Sequence, residues 1–88
     1  MLNIIHTYKD GFLNDQTEKI EGIRNRKEAI EFIKNLMKEF LSDKVMEYDY
    51  ADEGFDVVKT EIVNKNEFKI VTKENGMEFD YIWKIEED

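Results

Sequence analysis

The alternation of apolar and polar residues is clearest between Phe68 and Ile85, where two alternating runs flank Asn75-Gly76. A two-residue type I′ turn requires positive φ at both central residues, and Asn-Gly is among the pairs that adopt it most readily. A turn here sets Glu74 opposite Met77. The pairs on the apolar face are then Thr72–Phe79, Ile70–Tyr81 and Phe68–Trp83, and the outer face pairs Lys73–Glu78 and Glu67–Lys84. Turn chemistry and alternation choose the same register, which predicts a β-hairpin.

Two further strands are predicted ahead of this hairpin. The segment 55–63 reads as a strand joined to it by the three-residue loop 64–66, because a two-residue loop would place Lys59 and Glu61 on the apolar face. The predicted pairs are Ile62–Phe68, Thr60–Ile70, Val58–Thr72 and, on the outer face, Glu61–Lys69. The segment 45–50 reads as one more strand, which pairs Tyr48 with Val58 and Met46 with Thr60. The C-terminal half is therefore predicted to be a four-stranded antiparallel meander.

The first 24 residues carry weaker signals. Leu2–Tyr8 is rich in β-forming residues and is predicted to be a strand. Asp10-Gly11 and Asn14-Asp15 are turn signals that follow it. The segment 16–23 fits a short strand that pairs back on the first one, and a helical turn is the second interpretation. The sequence thus predicts an N-terminal strand or hairpin beside the meander.

A single helix is predicted over 25–41. Asn25 can cap its N-terminus, and Glu28 completes the spacing of a capping box. The apolar residues at helical intervals are Ile30, Ile33, Met37, Phe40 and Leu41, with Ala29, Phe32 and Leu36 widening the stripe. So broad a stripe favours a helix lying flat on a sheet. The predicted fold class is α+β, with one amphipathic helix packed on an antiparallel sheet in a single domain over 1–88.

The charge of the chain is concentrated in its second half. The whole sequence has a net charge of −8. Residues 1–44 hold eight basic and eight acidic residues, whereas residues 45–88 hold five basic and thirteen acidic ones. A surface of this sign repels phosphate backbones and anionic membranes, so a basic protein is a more favourable partner than nucleic acid. Many small acidic proteins carry such charge only to remain in solution, which is the simpler interpretation.

Several classes of function lack their residues in this sequence. The chain has no cysteine, and its only serine and only histidine are Ser42 and His6, so neither thiolate chemistry nor a histidine-rich metal site is available. The four glycines are scattered, which excludes a glycine-rich phosphate loop. No apolar run is long enough to span a membrane, and no basic region precedes an apolar one as in a signal peptide. We expect a cytoplasmic protein that is not an enzyme and needs no cofactor.

The most unusual stretch is 43–56, which holds six acidic residues and one lysine with aromatic residues between them. Carboxylates spaced this closely can bind Arg and Lys, and aromatic side chains add contact area at low entropy cost. The residues predicted to contact a partner are Glu47, Asp49, Tyr50, Asp52, Glu53, Phe55 and Asp56. A solvated turn between two strands is the competing interpretation. The spacing does not match an EF-hand, although an irregular divalent-metal site stays open as an alternative.

These features favour a small acidic domain that binds protein. Its sharpest form is an inhibitor that occupies the basic nucleic-acid-binding surface of a partner enzyme. Small size, acidity and a lack of enzyme motifs are also common among phage-encoded anti-restriction and anti-CRISPR proteins, and this likeness is one of size and charge alone. One alternative is a structural or homo-oligomerising module that dimerises through an outer face containing Val57, Val71 and Ile82. Another is a domain that binds a divalent metal or a small ligand.

Overall fold

The part of the chain that the structure describes folds into one helix and five strands. The computed structural model of the protein describes residues 1–9, 15–50 and 54–87. The elements are β1 (Leu2–Lys9), β2 (Asp15–Ile23), α1 (Arg26–Tyr50), β3 (Phe55–Asn64), β4 (Glu67–Glu74) and β5 (Met77–Glu87). All strand pairs are antiparallel, in the order β2-β1-β5-β4-β3. The predicted α+β class, with one helix on an antiparallel sheet, is confirmed.

The hairpin formed by β4 and β5 has the predicted register at every pair, from Glu74 opposite Met77 to Glu67 opposite Lys84. Asn75 and Gly76 have φ values of 52° and 84°, as a type I′ turn requires. Turn residues and side-chain alternation are both local properties of the sequence, which is why this element was predictable in detail.

The N-terminal segment forms the hairpin that was the first interpretation of residues 16–23. β2 pairs with β1, and an irregularity between Leu2 and Ile4 coincides with Gly22. Gly22 has a φ of 83°, a backbone conformation that strains residues with a Cβ. β1 also pairs with β5, with Leu2 opposite Glu87. The first strand of the chain is therefore inserted beside the last one.

The helix is longer than predicted, and the strand predicted over 45–50 is wrong. α1 continues to Tyr50, so the meander contains only β3, β4 and β5. No glycine or proline interrupts 41–50, and nothing local ends the helix there. Lys44 and Tyr48 extend the inward-facing stripe at intervals of four residues and make polar contacts with the sheet. At the other end the predicted cap is confirmed, because the backbone N–H of Glu28 donates to Asn25 Oδ1 over 3.0 Å.

β3 departs from the predicted register at two bulges. Its central pairs, Thr60 with Ile70 and Ile62 with Phe68, are as predicted, whereas Val57 rather than Val58 lies opposite Thr72. The second irregularity, between Ile62 and Asn64, allows the two-residue turn 65–66 that had been rejected in favour of a three-residue loop. Each bulge adds one residue and so restores the alternation that a regular strand would have lost.

The bulges also separate the residues predicted to form a homodimer face. Val57 lies on the helix side of the sheet with Thr72, while Val71 and Ile82 belong to the opposite side. Val71 is buried, with 4% of its surface exposed, and Ile82 is half-buried. The grouping of these three residues on one exposed outer face is therefore wrong.

The core lies between α1 and one face of the sheet. Its buried residues come from all layers and are Ile4, Ile23, Ala29, Ile33, Met37, Phe68, Ile70, Tyr81, Trp83 and Ile85. Arg26 fixes the start of the helix to the turn after β3, because its guanidinium donates to Asn66 Oδ1. Within the described residues, α1 lacks the continuous apolar surface that crossing a bilayer would require.

Candidate partner-binding surface

The residues predicted to contact a partner are divided by the longer helix. Glu47 and Asp49 lie in the last two turns of α1, and Phe55 and Asp56 open β3. Tyr50 is the final helical residue, and Asp52 and Glu53 lie outside the described residues. Successive helical residues are 100° apart, so Glu47 and Asp49 point to different sides of the helix. The segment therefore presents two surfaces.

The first surface is a shallow depression that brings Asp49 and Phe55 together. It has a volume of about 140 Å³, and Val45 and Tyr48 complete its lining. The rings of Tyr48 and Phe55 are stacked, with centroids 5.4 Å apart and planes 17° apart. Asp56 follows Phe55 on β3, exposed and opposite Lys73. The stacking of Tyr48 on Phe55 fixes the start of β3 against the end of the helix.

The second surface contains a row of carboxylates along α1. Glu39, Asp43 and Glu47 follow one another at intervals of four residues, which places them side by side on one helix face. All three are exposed, and no basic group of the described residues lies within 4.0 Å of their carboxylates. Like charges at this spacing destabilise a helix by about 0.2–0.5 kcal/mol per pair.

Glu47, the last residue of this row, lies in the final turn of α1 and is subject to a second unfavourable interaction. The C-terminal end of a helix carries partial negative charge from its unpaired carbonyl groups, so carboxylates near it are disfavoured. The last turn of α1 contains no basic residue. The nearby Lys44 turns towards the sheet, where its Nζ lies 3.1 Å from Glu74. Local electrostatics within the described residues therefore oppose the row, and they oppose Glu47 most strongly.

Beside the row lies a groove of about 230 Å³ between the helix and the N-terminal hairpin. We call it the acidic groove, and its lining residues are His6, Glu18, Ile20, Leu36, Glu39, Phe40, Asp43 and Trp83. Three of them are carboxylates from two elements, and three are aromatic. The rings of His6 and Trp83 are stacked at 4.4 Å, and Phe40 meets Trp83 edge-on at 5.6 Å.

The histidine in this groove is held in one neutral form. A backbone carbonyl can only accept a hydrogen bond, so His6 Nδ1 must donate to the oxygen of Ile82, 3.0 Å away. Burial lowers the pKa of His6 below its ordinary value, although the bond to Ile82 and the charge of Glu18 oppose the effect. The ring therefore contributes to the groove as an uncharged aromatic surface.

A buried carboxylate holds the end of α1 on the sheet. Glu74 is 4% exposed and accepts hydrogen bonds from the hydroxyls of Tyr48, Tyr81 and Thr72 at 2.6, 2.6 and 2.7 Å. Lys44 supplies a fourth donor. Burial alone would raise the pKa of Glu74, but the four donors outweigh it and hold the pKa below its ordinary value. Burial and the Glu74 carboxylate raise the pKa of Tyr81.

Sequence analysis missed both the acidic groove and the buried carboxylate. One signal for Glu74 was present, because alternation places it on the same face as Ile70 and Thr72, where a charged residue needs partners. The groove needs the pairing of β1 with β5, which brings His6 beside Trp83. No local pattern encodes that contact.

Other ligand sites are not evident in the part of the chain that the structure describes. Within those residues, no three acidic, histidine or cysteine side chains converge as a metal site would require. No family model matches the chain, and no curated protein or solved structure matches it. The functional proposal is therefore based on the geometry of the acidic groove and its carboxylate row.

Proposed function

We propose that this protein binds a basic segment of another protein through the acidic groove and the row Glu39, Asp43 and Glu47. The observation that carries this proposal is that, among the described residues, no basic group lies within 4.0 Å of the carboxylates of this row, which reaches the last turn of the helix. A basic partner would supply the missing positive charge and remove the repulsion. Binding would then stabilise the helix as well as the complex.

Arginine is the side chain that fits the groove best. Its planar guanidinium can pair with a carboxylate through two hydrogen bonds and stack on an aromatic ring at the same time. Both kinds of contact are available here, because Glu39 and Asp43 lie beside the partly exposed rings of His6 and Phe40. A lysine would gain the charge interaction but not the planar stacking.

We further propose that the partner is a nucleic-acid-binding enzyme and that the protein inhibits it by occupying its basic surface. The net charge of −8 supports a partner that is itself positively charged. The predicted contact residues near the helix end, Asp49, Phe55 and Asp56, would extend the contact beyond the groove. The small size and acidity of phage-encoded inhibitors of this kind are an analogy only.

The groove can be tested with its own fluorophore, because Trp83 is the only tryptophan of the chain. The protein is titrated with an arginine-rich peptide while Trp83 emission is followed. We expect saturable binding that Asp43→Lys weakens about tenfold or more, a loss of about 1.4 kcal/mol. Glu31→Lys is the matched control, because it changes the net charge equally on an exposed helix position away from the groove.

Two results would contradict the groove assignment. One is an emission that the peptide leaves unchanged. The other is equal weakening by Asp43→Lys and Glu31→Lys, which would mean that net charge alone attracts the peptide.

The class of partner needs a separate experiment with the folded protein as bait in a lysate of its native cells. We expect capture of a basic protein that added duplex DNA or RNA displaces, and that the Asp43→Lys bait does not retain. Displacement by nucleic acid tests whether the two ligands compete for one surface. Capture that nucleic acid does not affect would argue against the inhibitor mechanism, while leaving the peptide-binding result intact.

A further inference from the structure

The two edges of the sheet differ in chemistry. On β2 the exposed positions include Thr17, Glu18, Lys19 and Glu21, and charged residues of this kind discourage pairing with another strand. On β3 four large apolar residues are exposed, namely Val57, Val58, Ile62 and Val63, with exposed fractions from 42% to 68%. β3 is ten residues long and contains no glycine or proline, and among the described residues it pairs with β4 alone. Such an edge is suited to accept another strand.

The sequence of β3 is complementary to itself in the antiparallel direction. If Thr60 is set opposite Thr60 of a second copy, Lys59 faces Glu61 and Glu61 faces Lys59. The exposed apolar residues flank this segment, with Val57 and Val58 before it and Ile62 and Val63 after it. Both charges then meet opposite charges, and the antiparallel arrangement brings the apolar residues before the charged segment of one copy near those after it in the other. Opposite-charge pairs and Thr–Thr pairs across strands stabilise antiparallel sheets.

From this complementarity we infer that β3 is a dimer interface, and that its partner is a second copy of the chain. A two-fold axis normal to the sheet at Thr60 relates the two copies. This axis keeps both helices on the same side of a continuous ten-stranded sheet. The acidic grooves lie beside β1 and β2, at the far ends of that sheet, so the dimer leaves them open to a partner.

The bulges of β3 are compatible with this pairing. They lie between Val57 and Lys59 and between Ile62 and Asn64. The segment 59–62 between them is regular, and it contains both charge pairs and the residue on the axis. Bulges often protect an edge by twisting it away from neighbours. Here they lie on either side of the central pairs Lys59–Glu61 and Thr60–Thr60, which are formed by the regular segment.

The test exchanges the two charges. The oligomeric state is measured by analytical ultracentrifugation of the wild type, Lys59→Glu and the double variant Lys59→Glu with Glu61→Lys. We expect the wild type to sediment with twice the 10.6 kDa mass of one chain at high concentration. Lys59→Glu sets like charges opposite each other twice by symmetry and should weaken dimerisation at least tenfold. The double variant is again self-complementary and should recover the dimer.

The outcomes separate the proposed interface from others. A wild type that stays monomeric at its solubility limit overturns the inference. A dimer that Lys59→Glu leaves unchanged places the interface elsewhere and also overturns it. Because Glu61 lies opposite Lys69 on β4, urea unfolding of each variant is measured to confirm that the fold is retained.

Discussion

At the scale of single residues, Glu74 connects three elements through one carboxylate. It accepts from Tyr48 and Lys44 of the helix, from Thr72 of its own strand and from Tyr81 of β5. A buried charge is costly unless donors surround it, and here every donor comes from a different residue. The end of α1 is therefore fixed by a polar contact as well as by apolar packing.

Replacing this carboxylate by an amide should destabilise the protein and change its response to acid. We expect Glu74→Gln to lower the free energy of unfolding by about 2–3 kcal/mol at neutral pH, because the charged acceptor is lost. The folded-state pKa of Glu74 is lowered, so its contribution is present above its ordinary value of 4.5 and is lost as pH falls below that value. Urea unfolding at pH 7 and at about pH 3 measures both effects.

The exposed Glu78 provides the control for this substitution. Glu78→Gln makes the same chemical change four residues away and should cost less than about 0.5 kcal/mol. A difference between wild type and Glu74→Gln that persists unchanged at low pH would show that the charge of Glu74 is not the source of the stability.

The single histidine gives a second prediction, which concerns the pH dependence of stability. Because its folded-state pKa is lowered, the unfolded chain binds the proton more readily, and stability falls as pH decreases through 6.5. His6→Phe keeps an aromatic ring beside Trp83 and should remove this part of the pH dependence. The imidazole NMR signals of the wild type should titrate below pH 6.5, and a midpoint at or above that value would contradict the burial argument.

At the scale of elements, the helix end combines a stabilising inner face with an unfavourable outer one. Lys44 and Tyr48 hold it to the sheet, whereas Glu39, Asp43 and Glu47 repel one another. The helix continues because the inner contacts exceed this repulsion. If the row serves binding, stability and function should respond in opposite directions to the same substitution.

Asp43→Lys tests this opposition. It replaces two repulsive pairs on the helix, with Glu39 and with Glu47, with two attractive ones. We expect the free energy of unfolding to rise by about 0.5–1 kcal/mol, equivalent to a few degrees in Tm. Thermal unfolding in low and high salt measures this increase in stability, which should become smaller as the salt concentration increases. A destabilised variant would mean that Asp43 has a favourable contact in the folded protein.

The elements also show which parts of the fold could be predicted from the sequence. The β4–β5 hairpin was predictable because Asn75-Gly76 fixes a turn and the flanking alternation fixes the register. The end of α1 was not predictable, because Val45, Tyr48 and Tyr50 suit a strand as well as a helix. The contacts of Lys44 and Tyr48 with the distant Glu74 favour the helix. The bulges at Val58 and Val63 have no mark of their own in an apolar run. The acidic stretch was visible in composition, but the groove depends on contacts between distant segments.

At the scale of the whole molecule, charge and apolar surface are separated. The acidic groove lies beside β1 and β2, whereas the exposed apolar residues of β3 lie at the opposite edge of the sheet. One chain can therefore present two independent surfaces, one for a basic partner and one for its own copy. A dimer of this kind would offer two grooves to a partner, so that a second contact would form at a high effective concentration.

Because β1 pairs with β5, the order of the elements along the chain affects the folding rate. It joins segments about 80 residues apart, so closing this loop costs about 2 kcal/mol more entropy than closing a hairpin of about ten residues. If the chain were opened between α1 and β3 and residues 88 and 1 were joined by a short linker, the order would become β3, β4, β5, β1, β2 and α1. Those strands would follow one another as they lie in the sheet, and the circular permutant would be an uninterrupted meander of low contact order. It should refold about tenfold faster than the natural order in stopped-flow experiments, while its sheet remains the same.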